Sequence, residues 1–231
     1  MKRAGIVGGI GPESTVEYYR QVVALCRQRA GDGSYPSMLI NSIDLKRMLD
    51  LVAEGRLSEL TGFLLEEVDR LRRAGADFGA LASNTPHIVF DPLQESSPLP
   101  LVSIVDVTAR AARARGLHRV GLFGTRFTMQ ARFYPDALAR VGIALALPSP
   151  AEQAYIHDKY MAELVKGVLL PETRAGLVAV VDALRAREGI DGVILGGTEL
   201  PSILRDGVDA EIPLLDTTRL HVEEIVSRIF S

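Results

Sequence analysis

Cysteine is almost absent from the 231-residue sequence, and the single copy, Cys26, has no partner for an intrachain disulfide. A chain without disulfides is typical of a reducing compartment, so the sequence predicts a cytoplasmic protein. Cys26 falls on a predicted helix, where we expect a buried and unreactive side chain. Long hydrophobic runs are also missing. The apolar run after Met1–Arg3 is interrupted by glycines and is too short for a signal sequence or a membrane span.

A surplus of positive charge is missing as well, since the net charge is −3 and the basic residues are spread along predicted helices. This pattern argues against a nucleic-acid partner. The four histidines lack the spacing of metal ligands, so no metal site is predicted. The dinucleotide fingerprint is incomplete, because Gly9-Ile10-Gly11 is followed by Pro12, and no P-loop motif occurs. No nucleotide cofactor is therefore predicted.

Short apolar runs alternate with longer helical patterns along the whole chain. This alternation indicates βαβ units and a mainly parallel sheet, which is an α/β fold. The predicted strands cover residues 4–7, 38–43, 78–82, 119–123 and 192–195. The predicted helices cover residues 14–29, 56–74, 105–115, 128–141, 150–167, 172–188 and 218–229.

Two segments of the first half recur in the second half in the same order. Residues 3–9 resemble residues 119–125 at an offset of 116, and residues 75–85 resemble residues 189–199 at an offset of 114. Because the order and the offsets agree so closely, the recurrence predicts an internal duplication.

The duplication predicts two pseudo-symmetric half-domains, each with a parallel sheet, and an active cleft between them. We assign residues 1–104 and 214–231 to the first half-domain and residues 105–213 to the second. Open α/β sheets bind ligands at the carboxyl ends of their strands. The loops that follow the matched strands are therefore the candidate site: 8–14, 83–87, 125–130 and 197–201.

Small polar residues stand in these loops directly after buried strands. In the first loop, Gly9 lets backbone N–H groups approach an anion, while Ser14 either joins that contact or caps the following helix. A buried polar group is costly unless it is hydrogen-bonded, so the others either cap helices or bind a small anionic ligand. These other positions are Ser83, Asn84, Thr85, Thr125, Thr128, Thr198 and Glu199.

The same loops resemble those of the aspartate/glutamate racemase family, over about residues 3–226. Residues 8–12 are similar to the family's Gly-Gly-x-Gly-Pro loop. Residues 83–87 stand where family members carry Cys-Asn-Thr-x-His, and residues 196–199 stand where they carry Gly-Cys-Thr-Glu. The resemblance implies an isomerase, commonly a homodimer, that racemises aspartate or glutamate without PLP, another cofactor or a metal.

The resemblance implies two-base chemistry, in which one cysteine removes the Cα proton and another returns a proton to the opposite face. A thiol suits this role because its ordinary pKa of about 8.5 can be lowered until it ionises. In this sequence Ser83 and Gly197 occupy the two catalytic cysteine positions. Serine is a much weaker base unless a neighbour activates it, and His87 either activates Ser83 or packs at a helix end.

Three interpretations of the replaced thiols stay open. In the first, the chain is an amino-acid racemase relative, and Gly197 marks a natural or engineered loss of the thiol. In the second, it runs a one-sided isomerisation or elimination with Ser83 or Glu199 as the proton carrier. In the third, it binds an acidic amino acid or a dicarboxylate without turnover.

The resemblance also implies two cationic residues that bind the side-chain carboxylate of the substrate. Lys166 matches the lysine in the helix that closes the family's cleft. Arg47 matches the arginine after the second strand more loosely, and Lys46 is the alternative at that place. A guanidinium would bind a carboxylate through two parallel hydrogen bonds.

Overall fold

The computed structural model describes residues 1–204 and 212–231. Within them the chain divides into two compact units. The first unit comprises Met1–Ile104 together with His221–Ser231, and the second comprises Val105–Leu220.

The first unit contains a parallel sheet with four strands among the described residues. They are β1 (Ala4–Gly8), β2 (Met38–Ser42), β3 (Phe78–Leu81) and β4 (Leu101–Val102). Their order across the sheet is β2-β1-β3-β4, and every neighbouring pair is parallel. All residues of β1 and β3 are buried, as expected for the central strands of a sheet that is covered on both faces.

The predicted helices 14–29 and 56–74 form in the first unit, and three further helices lie outside the predicted ranges. The first helix, α1 (Pro12–Ala30), buries one residue per turn and ends this row at Cys26, whose thiol has a pKa raised by burial. Cys26 is therefore buried, as predicted. The helices of this unit, in chain order, are α1 (Pro12–Ala30), α2 (Leu45–Ala53), α3 (Leu57–Arg73), a 3-10 helix (Thr85–Val89) and α4 (Phe90–Ser96).

The second unit repeats the strand order of the first. Its described strands are β5 (Arg119–Gly124), β6 (Ala144–Ala146), β7 (Gly192–Gly196) and β8 (Leu214–Asp216). They lie in the order β6-β5-β7-β8, again all parallel. Two parallel sheets with the same order confirm the predicted fold class of two α/β halves. The active cleft that the sequence analysis places between the halves stays a prediction.

The remaining helices include one that was not predicted, over residues 200–204, and differ from the prediction in two further places. They are α5 (Ile104–Ala114), α6 (Arg126–Gln130), α7 (Phe133–Arg140), α8 (Pro150–Ala162), a 3-10 helix (Leu164–Lys166), α9 (Pro171–Glu188), α10 (Leu200–Leu204) and α11 (Thr217–Ile229). The predicted helix 128–141 is interrupted at Ala131, whose ψ of 157° is extended. The predicted helix 150–167 ends at Ala162.

The structure also differs from the predicted domain boundary. Residues 214–216, which the sequence analysis places in the first half-domain, form β8 and pair in register with β7 of the second sheet. A strand of three residues is too short to show a periodicity, so this pairing left no pattern in the sequence. The chain returns to the first unit at His221, inside α11.

Among the described residues, no helix combines the length and the apolar character needed to cross a membrane.

Candidate functional site

The loop after β1 is fixed by Gly9 and Thr15. Gly9 has a φ of 80°, and a Cβ added there would lie 2.5 Å from the carbonyl oxygen of Ile43. Its N–H donates a hydrogen bond of 2.8 Å to Thr15 Oγ1. The Gly9 N–H is therefore already bound inside the loop, and this hydrogen bond competes with the predicted binding of an anion.

Ser14 connects the start of α1 to the end of the neighbouring strand β3. Its hydroxyl is buried and donates to the carbonyl oxygen of Ala82 at 3.0 Å. The N-cap residue of α1 is Gly11, and Pro12 occupies the first turn. The interpretation of Ser14 as a helix cap is therefore wrong, because its hydroxyl binds across to the β3 segment instead.

The segment after β3 holds Ser83 next to a buried imidazole. His87 Nδ1 donates to the carbonyl oxygen of Ser83 at 2.9 Å, and its Nε2 accepts from the Ile104 N–H at 3.2 Å. The ring also stacks on Phe90, with 4.9 Å between the ring centroids. Burial lowers the pKa of His87 to about 3. Both ring nitrogens are thus engaged by the backbone, which favours the packing role of His87 over activation of the Ser83 hydroxyl.

The Ser83 hydroxyl itself is half-buried and has no hydrogen-bond partner among residues 1–204 and 212–231. Asn84 precedes the 3-10 helix but makes no side-chain cap to it. Asn84 is buried and Thr85 is half-buried, so both lie beside Ser83 at the end of the strand. The hydroxyl of Ser83 is consequently available to a ligand, whereas the imidazole of His87 is not.

Arg47 lies on α2, where Asp44 caps the helix by accepting from the backbone N–H groups of Lys46 and Arg47. The Arg47 guanidinium stands 4.3 Å from the ring centroid of Phe63 and borders a groove of about 510 Å³. In the described part of the chain it has no carboxylate partner. Lys46 Nζ, in contrast, lies 2.6 Å from Asp50. Of the two candidate cations, Arg47 is the one that is free to bind a carboxylate.

In the second unit, Thr125 and Thr128 close the ends of β5 and β7. Thr125 caps α6 by accepting from the Thr128 N–H, and the two hydroxyls are 3.1 Å apart. The methyl group of Thr128 would lie 3.1 Å from a Cβ added at Gly124 and 3.0 Å from one added at Gly196. Both threonines therefore direct their hydroxyls to each other and position the two strand ends.

Tyr160, which the sequence analysis did not single out, fills the space beside Gly197. A Cβ added at Gly197 would lie 2.6 Å from Cε2 and 2.8 Å from Cζ of the Tyr160 ring, and closer still to its phenol oxygen. The phenol donates a hydrogen bond to Glu199 Oε2, which also accepts from Thr198 Oγ1 at 2.8 Å. Burial, and then the charge of Glu199, raise the pKa of Tyr160 well above its ordinary value.

One signal in the sequence pointed to Tyr160. Ile156, Tyr160 and Leu164 are spaced four residues apart, and all three are buried. This spacing indicates an inward-facing row along α8 and into the 3-10 helix that follows it. The pattern does not say which strand end this row contacts, because that depends on packing in the folded unit. The contact of Tyr160 with Gly197 could therefore not be predicted.

A Gly197→Ala substitution is expected to lower the free energy of unfolding by about 1–3 kcal/mol, because the new methyl group overlaps the Tyr160 ring. Urea unfolding measures the change. The cost should disappear when the same substitution is made in a Tyr160→Ala background. Gly62→Ala is the matched control, since a Cβ there meets open space within the described structure. An equal cost at both glycines would contradict the contact.

Lys166 lies in the 3-10 helix after α8, so the predicted single helix through this residue is wrong. Just before it, Glu163 hydrogen-bonds to both Lys159 of α8 and Thr173 of α9. The side chain of Lys166 is exposed and has no ion-pair partner among the described residues. Glu163 therefore anchors a short segment that presents Lys166 to solvent.

Metal ligands do not gather in the part of either unit that the structure describes. Over residues 1–204 and 212–231, no three His, Cys, Asp or Glu side chains lie close enough together to hold a metal ion. The groups that the structure does place at the strand ends are a hydroxyl, a carboxylate and a phenol. These groups can donate, accept or hold protons.

The chain is similar to several known proteins in sequence and in fold. The broad specificity amino-acid racemase RacX of Bacillus subtilis (strain 168) is 26% identical over 228 residues, which is 96% of each chain. The crystal structure of an aspartate racemase homologue from Pyrococcus horikoshii OT3 is 35% identical and has a TM-score of 0.89, with both chains fully covered. An aspartate racemase of Picrophilus torridus shares the fold at 20% identity, with a TM-score of 0.77 over 100% of this chain and 95% of that one.

The family model described as Asp/Glu/Hydantoin racemase matches residues 7–225. This match runs through both units and includes the loops after β1, β3, β5 and β7. The resemblance noted from the sequence is thereby confirmed, and the chain belongs to the Asp/Glu/Hydantoin racemase family.

Proposed function

We propose that this chain moves the Cα proton of an acidic amino acid, as an isomerase that works without a cofactor. Membership of the racemase family and the similarity to an amino-acid racemase support the reaction class. The choice of an acidic substrate follows the aspartate racemase homologue, the most similar in sequence of the three proteins compared.

One observation carries the proposal. The strand end that the resemblance assigns to the first catalytic residue presents the Ser83 hydroxyl, which makes no hydrogen bond within the described structure. A half-buried hydroxyl that no group of the described structure engages can donate to, or accept from, a ligand at the strand end. In the second unit, the Glu199 carboxylate lies two residues after Gly197 and supplies a second group that can hold a proton.

Arg47 is the group that would select an acidic side chain. Its fork of N–H donors matches a carboxylate, and the ring of Phe63 holds the guanidinium from one side. Lys166 is the second cation of the proposal, because it too lacks an ion-pair partner in the described structure. The further contacts proposed for the substrate come from Asn84, Thr85 and Thr198. Gly9, Ser14, Thr125 and Thr128 shape the strand ends, since their polar groups bind within their own unit.

Incubation in deuterated water with each enantiomer of aspartate and of glutamate tests the proposal. Deuterium should enter at Cα of at least one of them, as read by proton NMR or mass spectrometry. Ser83→Ala should slow this exchange by about 100-fold or more, which is the usual contribution of a general acid or base. Ser58→Ala is the control, because Ser58 is exposed on α3.

A wild-type protein that exchanges no Cα proton with any of the four compounds would end the proposal.

One observation favours a second function, a binder of acidic amino acids without turnover. The space next to Gly197 is filled by the Tyr160 ring, so no room is left there for a thiol. Binding of aspartate or glutamate in calorimetry, combined with no deuterium uptake, would establish that second function.

A further inference from the structure

The phenol of Tyr160 occupies the place that a side chain at position 197 would take. Its oxygen is the atom nearest to a Cβ built on Gly197, ahead of the ring carbons at 2.6 and 2.8 Å. The residue is 7% exposed, so its ring is packed while a small part of its surface remains accessible. The family resemblance puts the second thiol at this place, and here the nearest group with an exchangeable proton is the phenol.

The hydrogen bond of its hydroxyl distinguishes Tyr160 from a residue that only fills space. A phenylalanine would fill the same volume, but the Tyr160 hydroxyl is directed to Glu199 Oε2. The same carboxylate oxygen also accepts a hydrogen bond from Thr198 Oγ1. Glu199 therefore links the hydroxyl groups of Tyr160 and Thr198 within the second unit. Tyr155, five residues earlier on α8, also packs against a glycine, Gly176 of α9, but its hydroxyl makes no hydrogen bond within the described structure.

We propose that the Tyr160 phenol, hydrogen-bonded to the Glu199 carboxylate, is the proton carrier for one face of the substrate Cα in place of the missing thiol. This inference rests on the proposed function, the movement of a Cα proton. Glu199 acts through Tyr160 and is a positioning residue that also takes up the phenolic proton.

The Cα–H bond breaks, and its electron pair stays on the substrate, where the α-carboxylate delocalises it. The proton joins the oxygen of Tyr160 while the original phenolic proton passes to Glu199 Oε2, which becomes a neutral carboxyl group. In the return step Tyr160 gives a proton to Cα and regains one from Glu199, so no other reactant is needed.

This order of events suits the surroundings of the phenol. Burial and the charge of Glu199 raise the pKa of Tyr160 and therefore oppose a free phenolate. A transfer in which the phenol gives up one proton as it gains another never forms the isolated anion. The carboxylate is already in hydrogen-bond contact with the phenol, so the acceptor is in place before the reaction begins.

Tyr160→Phe and Glu199→Gln test the inference in the deuterium-exchange assay, with Tyr155→Phe as the control on the same helix. Both site variants should lower the exchange turnover number by about 100-fold or more, while calorimetric binding of the amino acid changes less than about threefold. Tyr155→Phe should exchange at the wild-type rate. Thermal unfolding of each variant checks that the fold is kept.

Three results would overturn the inference, and they are distinguishable. If the wild type exchanges and Tyr160→Phe exchanges equally fast, Tyr160 is not the carrier although the proposed function stands. If the wild type exchanges nothing, the proposed function fails and the proton-carrier role fails with it. A loss of binding that matches the loss of exchange in both variants would also overturn it, because the pair would then only shape the site.

Discussion

Lowering the pH from 7 to 5 is expected to remove about 4 kcal/mol from the free energy of unfolding, through the buried imidazoles His87 and His221. Burial lowers the pKa of each to about 3 from an ordinary value of 6.5. Between these values the unfolded chain binds protons that the folded chain excludes, so stability rises with pH across the window. Each imidazole contributes a slope of about 1.4 kcal/mol per pH unit.

The hydrogen bonds of the two rings explain why neither takes up a second proton in the folded state. His221 Nε2 donates to the carbonyl oxygen of Val102 at 3.0 Å, and its Nδ1 accepts from the Tyr18 hydroxyl at 2.7 Å. In His87 the roles of the two nitrogens are reversed, and the accepting Nε2 faces the Ile104 N–H. A second proton on His87, carried by Nε2, would therefore face the Ile104 N–H, which is itself a donor, in a buried space.

Urea unfolding at pH 7, 6 and 5 measures this dependence. His87→Gln should lower the stability at pH 7 and reduce the slope, because one of the two titrating groups is gone. Ser58→Ala is the control, since Ser58 is exposed on α3 and its hydroxyl carries no charge in this pH range. A slope that survives both His87→Gln and His221→Gln would show that other groups titrate in this range.

A Gly9→Ala substitution is expected to cost about 3 kcal/mol or more. An alanine in the left-handed region at φ 80° loses about 1–2 kcal/mol by itself. The new methyl group would also lie 2.5 Å from the oxygen and 2.7 Å from the nitrogen of Ile43. These are backbone atoms next to the end of β2, and the Ile43 N–H bonds to the Gly8 carbonyl, so relief requires the two strand ends to separate.

Gly33→Ala is the matched control for this substitution. Gly33 has the same φ of 80°, but no atom of the described structure lies within 4 Å of a Cβ placed there. It should show the conformational cost alone, about 1–2 kcal/mol. Equal losses in the two variants, measured by urea unfolding, would mean that the contact with Ile43 adds nothing.

The parts of the fold that the sequence predicted are those with strong local patterns. The central strands β1, β3, β5 and β7 are buried runs between helical segments, and the repeat at an offset of about 115 residues marks two similar sheets. The strands β4, β6 and β8 have two or three residues and therefore show no period. Pro135 was an available sign of the break between α6 and α7, because proline belongs in the first turn of a helix.

The candidate site was predictable in its positions but not in its partners. The loops after the matched strands contain Ser83 and Glu199, as the recurrence indicates. The hydrogen bond between His87 and the Ile104 N–H, and the contact of Tyr160 with Gly197, depend on packing between segments that are far apart in the sequence. Such contacts leave no local pattern.

The discontinuous first unit sets an order for assembly during synthesis. The second unit is one uninterrupted stretch of chain, so all of it has been made before residues 221–231 appear. The Lys2 N–H bonds to the Ile229 carbonyl, and the Tyr18 hydroxyl bonds to His221, so these contacts form only after the intervening stretch has been made. The first unit is thus completed after the second, although most of its residues precede the second in the chain.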